Sequence, residues 1–116
     1  MIIDAHTHTF PDKIAEKALH RLAVISGITP ATNGTVTGTM SYMKDVNVDK
    51  FINLNIATSP TQQQTINTTA ADNNSKYTQM ISTGSVHPDN EDAVNELTRI
   101  KNLNIKAIKL HPDYQE

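Results

Sequence analysis

Along the whole chain, short apolar runs of strand period alternate with stretches whose apolar residues recur every three to four positions. Residues 2–6, Ile-Ile-Asp-Ala-His, read as a first strand. Pro11 then suits the first position of a helix, with Ile14, Ala18, Leu19 and Leu22 on one face and Lys13, Glu16, Lys17 and Arg21 outside. Residues 26–39, rich in Gly, Thr, Pro and Asn, read as a loop, after which Val36, Met40, Met43 and Val46 recur at helical spacing. Asn47 stands where that helix would end in the left-handed conformation, and the two methionines read as core filling. A second strand covers about 50–57. The polar stretch 61–74 offers only Ile66, Ala70 and Ala71 as a buried helical stripe. A third strand, about 79–86, ends at His87-Pro88-Asp89. The next helix, from about Glu91, turns Ala93, Val94, Leu97, Ile100 and Leu103 inward and stops at Asn104. A fourth strand, about 105–110, runs into His111-Pro112-Asp113.

Strands alternating with helices predict successive βα units and a parallel sheet. No helix follows the fourth strand to cover it, so the pattern reads as a single incomplete domain, 1–116, cut short. Composition narrows the function classes. Of 116 residues, 37% are hydrophobic and 19% charged, with a formal net charge of -2, which is ordinary for a globular chain and leaves no footprint for nucleic acid. No long apolar run or basic leader is visible, so no membrane partner and a cytoplasmic setting are expected. With no cysteine, disulfides and thiolate sites are excluded, and only histidine and carboxylate remain as metal ligands.

Candidate chemistry gathers at the strand ends. His6 and His8 lie two apart at the end of the first strand, so both imidazoles can point to one side and converge on one ion. Asp4 shares their parity, which suits either an acceptor that orients an imidazole or a buried capping aspartate. His87 and His111 follow the third and fourth strands, and each precedes a proline, which by itself shapes an extended loop. Lys109 shares parity with His111 and reads as a substrate anchor, as a bridging carbamate in a two-metal site, or as a solvated or structural ion-paired lysine. Asp89 and Asp113 suit turns or helix caps as well as chemistry, and His20 sits on the flank of the first helix as a structural or solvated side chain. There is no Gly-rich phosphate loop and no G-x-S-x-G elbow.

Three strand-end motifs in order, Asp4-Ala5-His6-Thr7-His8 with Phe10-Pro11-Asp12, Gly84-Ser85-Val86-His87-Pro88, and Ile108-Lys109-Leu110-His111-Pro112-Asp113-Tyr114-Gln115, resemble the amidohydrolase superfamily. The resemblance is to the amidohydrolase-related branch that includes aminocarboxymuconate-semialdehyde decarboxylase. It implies an α/β fold, the N-terminal half, about four βα units, of a TIM (β/α)8 barrel. It also implies a divalent metal, zinc above all, on His6 and His8, a small-molecule substrate contacted by Lys109, His111 and His87, and hydrolysis or nonoxidative decarboxylation through an activated water. The family's further ligands, a histidine after the fifth strand and an aspartate after the eighth, have no positions here. The 116-residue chain alone is therefore expected to be inactive. His6-Thr7-His8-Thr9 also resembles the opening of polymerase-and-histidinol-phosphatase type phosphoesterases, whose second motif is missing. A nonenzymatic assembly module, homo-oligomeric through open barrel edges, is the reading from another class.

Overall fold

The computed structural model describes residues 1–115. Strands β1 (Ile3–Thr7), β2 (Lys50–Asn53) and β3 (Met80–Ser82) form one parallel sheet in sequential order. Helices α1 (Asp12–Ser26) and α2 (Val36–Asp45) both fall between β1 and β2, α3 (Gln63–Lys76) connects β2 to β3, and α4 (Ala93–Asn102) follows β3. The expected half barrel of four βα units is not what forms. Among the described residues, three strands and four α-helices make a small α/β unit, and the fourth apolar run is reduced to one parallel bridge between Gly84 and Ile108. Only two backbone bonds hold it, from Gly84 N–H to the Ala107 carbonyl at 2.9 Å and from Lys109 N–H to the Gly84 carbonyl at 2.8 Å. Ile108 and Leu110 remain about half exposed, which removes the burial that would extend the pairing.

The core is split in two. Met43 of α2, Phe51 of β2 and Met80 of β3 pack together with Val36, Met40, Val48 and Tyr77, so the two methionines of α2 fill space as expected. Ala70 of α3, Ile100 of α4, Val86 and Ile105 form the second cluster. The polar stretch does fold as helix α3, because its apolar stripe is supplemented by buried amides: Gln63 and Asn67 are as buried as Ala70. In α4, Val94 and Leu97 face outward at 76% and 38% exposure while Glu96 is buried, against the expectation from apolar spacing. Asn47 and Asn104 adopt the left-handed conformation (φ 57° and 60°) where the sequence places helix ends, and Gly27 (φ 69°) ends α1.

Register decides which way the strand ends face. Phe51 pairs with Met80, and Asn53 with Ser82, on the side covered by helices. Along β1 the step from Asp4 to Thr7 spans three residues against two on β2, from Phe51 to Asn53. This bulge-like irregularity rotates the phase of β1, so Thr7 turns inward and is buried while His6 and His8 alternate to the open side. Gly84 marks the other side of the sheet. A Cβ there would stand 3.0 Å from Ile100 Cδ1 and 3.1 Å from Asn67 Oδ1. Gly84→Ala is expected to lower stability by about 1–3 kcal/mol through overpacking. Urea unfolding checks it, and an unchanged midpoint would show that α4 shifts freely.

Candidate metal centre

The two histidines of the first strand end meet. His6 Nε2 and His8 Nε2 lie 3.2 Å apart, with their ring planes at 69°. The His8 Nδ1 atom stands 2.9 Å from the Leu54 carbonyl, and because a carbonyl only accepts, that nitrogen carries the proton. The lone pair of His8 is thereby directed from Nε2 toward His6. Without an ion, His6 Nε2 donates into that lone pair.

The donor set suits a borderline divalent ion. Two nitrogens bound to one tetrahedral zinc at about 2.0–2.1 Å lie about 3.3–3.4 Å apart, close to the separation found here. The bond from His8 to the Leu54 carbonyl is the outer-shell contact that fixes tautomer and ring orientation in metal-bound histidines. The fit stops at two donors. Among the described residues, no group of three or more histidine, cysteine, aspartate or glutamate side chains is placed to hold an ion.

Burial holds the His8 pKa below its ordinary 6.5. The hydrogen bond to Leu54 opposes that shift, and the charges of His6, Lys109 and His111 add to it. A depressed histidine favours the folded state when neutral, so this contribution is complete above pH about 6.5 and is lost as the pH falls through the lower folded-state value. Melting temperatures of zinc-free protein should therefore fall below pH about 6.5, and His8→Gln should flatten that fall. An identical pH profile in the variant would contradict the assignment.

The other expected site residues divide. Lys109 and His111 lie just past the Gly84–Ile108 bridge, and their charges help to lower the His8 pKa. His87 does not join them. It is 2% exposed, its backbone N–H donates to Gln63 Oε1 at 3.2 Å, and its Nδ1 accepts from the Asp89 N–H at 3.2 Å. Asp4 does not orient an imidazole through its carboxylate. Its Oδ1 accepts from the His6 backbone N–H at 3.0 Å, a turn contact that accompanies the irregular register of β1. His20 is exposed on α1, where it lines a separate groove with Asp12 and Glu16.

Sequence periodicity missed the residues that build the floor of this site. Beyond Asn53 and Ser82, after the backbone bonds from Leu54 N–H to the Thr7 carbonyl and from Thr83 N–H to the Asn53 carbonyl, side chains join the ladder. Asn53 Oδ1 accepts from Thr9 N–H at 2.6 Å, and Asn55 Nδ2 donates to the Thr83 carbonyl at 2.7 Å. Ser85 Oγ accepts from Ala57 N–H at 3.0 Å and donates to the Lys109 carbonyl at 2.9 Å. Gln115 closes the arrangement. Its Nε2 donates to the carbonyls of Ala57 (3.0 Å) and Val86 (2.7 Å), and its Oε1 accepts from His111 N–H at 2.8 Å. One buried amide thus ties three strand-end loops. The only signal for it in the sequence was polar residues interrupting the ends of apolar runs.

No family model matches the chain, no curated protein matches it, and no solved structure matches it. Among the described residues, no helix is long and apolar enough to cross a membrane.

Proposed function

We propose that this chain carries a metal site of the hydrolase or decarboxylase type, with His6 and His8 as the ligands of a divalent ion, zinc in the first place. The observation that carries the reading is the 3.2 Å approach of the two Nε2 atoms with the His8 tautomer fixed by Leu54. When bound, such an ion supplies a polarising charge and a water acidified toward pH 7. The Leu54 carbonyl orients His8 and burial favours its neutral form, and in this reading Lys109 and His111 are the side chains that contact a small-molecule substrate. Amide-type hydrolysis and nonoxidative decarboxylation are the reactions this arrangement and the strand-end motifs favour.

Two protein ligands leave half of a tetrahedral shell open, whereas catalytic zinc sites hold three. Turnover by this chain alone is therefore expected to be weak, far below the efficiency of a site with a complete ligand set. That same shortage favours a second reading, a nonenzymatic module that binds an ion without using it. Elemental analysis on protein of known mass, followed by an activity screen on amides and ring carboxylates, separates the two. Near-stoichiometric zinc with weak, chelator-sensitive turnover supports the proposal. Zinc without any turnover supports the binding module, and no zinc removes both.

A further inference from the structure

Helix α1 turns only part of its apolar surface to the rest of the chain. Ala15 is buried, and a Cβ on Gly34 would stand 3.4 Å from the Leu19 side chain. That flank, with Ala23 and Pro30, lines the groove in which Asp12, Glu16 and His20 also lie. The opposite flank has no cover. Lys13, Lys17 and Arg21, four apart, form one exposed ridge, and Ile14, Ala18, Leu22 and Ile25 form the ridge beside it. Val24 extends the basic ridge, and Ile28 follows the left-handed Gly27, where a Cβ would meet nothing within 4 Å. Ile14, Val24, Ile25 and Ile28 are between 52% and 69% exposed. Single exposed apolar residues are ordinary, but a contiguous group marks a contact surface.

The charge on this flank is of one sign. None of the three bases is in an ion pair among the described residues, where the salt bridges are those of Met1, Arg99 and His111. The chain has a formal net charge of -2, yet no acidic residue stands between Lys17 and Lys44. The carboxylates of α1, Asp12 and Glu16, belong to the groove side. The surface therefore suits an anionic partner.

Geometry narrows what that partner is. An antiparallel pairing with a second copy sets basic ridge against basic ridge, and a parallel one sets it against the flank already packed on the Pro30–Thr35 loop. A partner helix covers one ridge, whereas here apolar side chains lie on both ridges and past the helix end. A lipid interface accommodates all of them, because apolar side chains enter it while lysine and arginine stems lie along it and their heads reach the phosphates. We infer that α1 docks on an anionic lipid surface, with Ile14, Ile25 and Ile28 at the headgroup boundary and Lys13, Lys17 and Arg21 on lipid phosphates. A helix long and apolar enough to cross a bilayer is not required for lying on one.

The test is co-sedimentation of the full chain with vesicles of phosphatidylcholine alone and of equal parts phosphatidylcholine and phosphatidylglycerol. Binding is expected to the mixed vesicles only and to fall as salt rises. Ile25→Asp, and separately Lys17→Ser with Arg21→Ser, should each weaken it at least about tenfold. All three side chains are exposed, so the circular dichroism spectrum should not change. Lys101→Ser, on the exposed side of α4, should bind as the native chain does. No binding to either vesicle, equal binding to both, or full binding by either α1 variant overturns the inference. A dimer in sedimentation analysis that Ile25→Asp dissolves would assign the surface to a second copy instead. Preference for a synthetic Glu- and Leu-rich helix over the mixed vesicles would assign it to an acidic protein, and either result likewise overturns the lipid reading.

Discussion

If His6 and His8 hold the proposed zinc, a chain carrying His6→Ala together with His8→Ala is expected to take up none. Each imidazole is half of the protein's contribution, since no group of three metal-binding side chains exists among the described residues. No neighbouring donor can compensate. Losing an outer-shell partner of a metal ligand typically costs about 10–100-fold in affinity, and losing a ligand from a two-ligand site should cost more. Either single variant is therefore expected to fall to background as well. The fold should survive, because His6 is exposed and His8 only half-buried, with its one further bond to a loop carbonyl. Metal per chain after dialysis, read beside the circular dichroism spectrum, makes the comparison. A variant that keeps native zinc content would place the ion elsewhere and end the proposal.

The largest loss of stability is expected from Asn67→Leu, about 3–5 kcal/mol, because the change keeps the volume but leaves the buried Ser85 N–H and carbonyl and one bond of the buried Glu96 carboxylate without partners. Asn67 is fully buried in α3. Its Oδ1 accepts from Ser85 N–H, and its Nδ2 donates to the Ser85 carbonyl and to Glu96 Oε1, each at 2.8 Å. Leucine satisfies none of the three. Glu96, 1% exposed, would keep only Arg99, whose side chain is 37% exposed. Unpaired buried groups are costlier than absent ones, so Asn67→Leu with Glu96→Leu should destabilise less than the two single changes added together. Urea unfolding of the four chains measures that coupling. Strict additivity would mean that water, not Glu96, satisfies Asn67. The effect should also reach the site, since Ser85 supports both Ala57 and Lys109.

The chain's own pattern determined a good deal. Alternation of strand-like and helical runs placed the three parallel strands and the four helices, although β2 and β3 stop at Asn53 and Ser82, short of the expected 57 and 86. Asn47 and Asn104 marked helix ends because a short polar side chain tolerates the left-handed backbone, a property local to the residue. The convergence of His6 and His8 was readable for the same reason: residues two apart on an extended strand share a face whatever surrounds them. What required partners distant in sequence was not readable. The fourth run has strand composition, yet pairing takes a covered face, and with Ile108 and Leu110 exposed only one bridge forms. Asp4 shares the parity of the histidines, but the extra residue in β1 opposite β2 breaks that phase and turns its carboxylate to the backbone. Glu96 is buried where Leu97 was expected because Asn67, twenty-nine positions earlier, offers it a hydrogen bond. Gln115 joins three loops that only the folded sheet brings together. Periodicity reports which residues one element turns to the same side. Which side is buried, and which polar groups are satisfied there, depends on register and on hydrogen bonds across the fold.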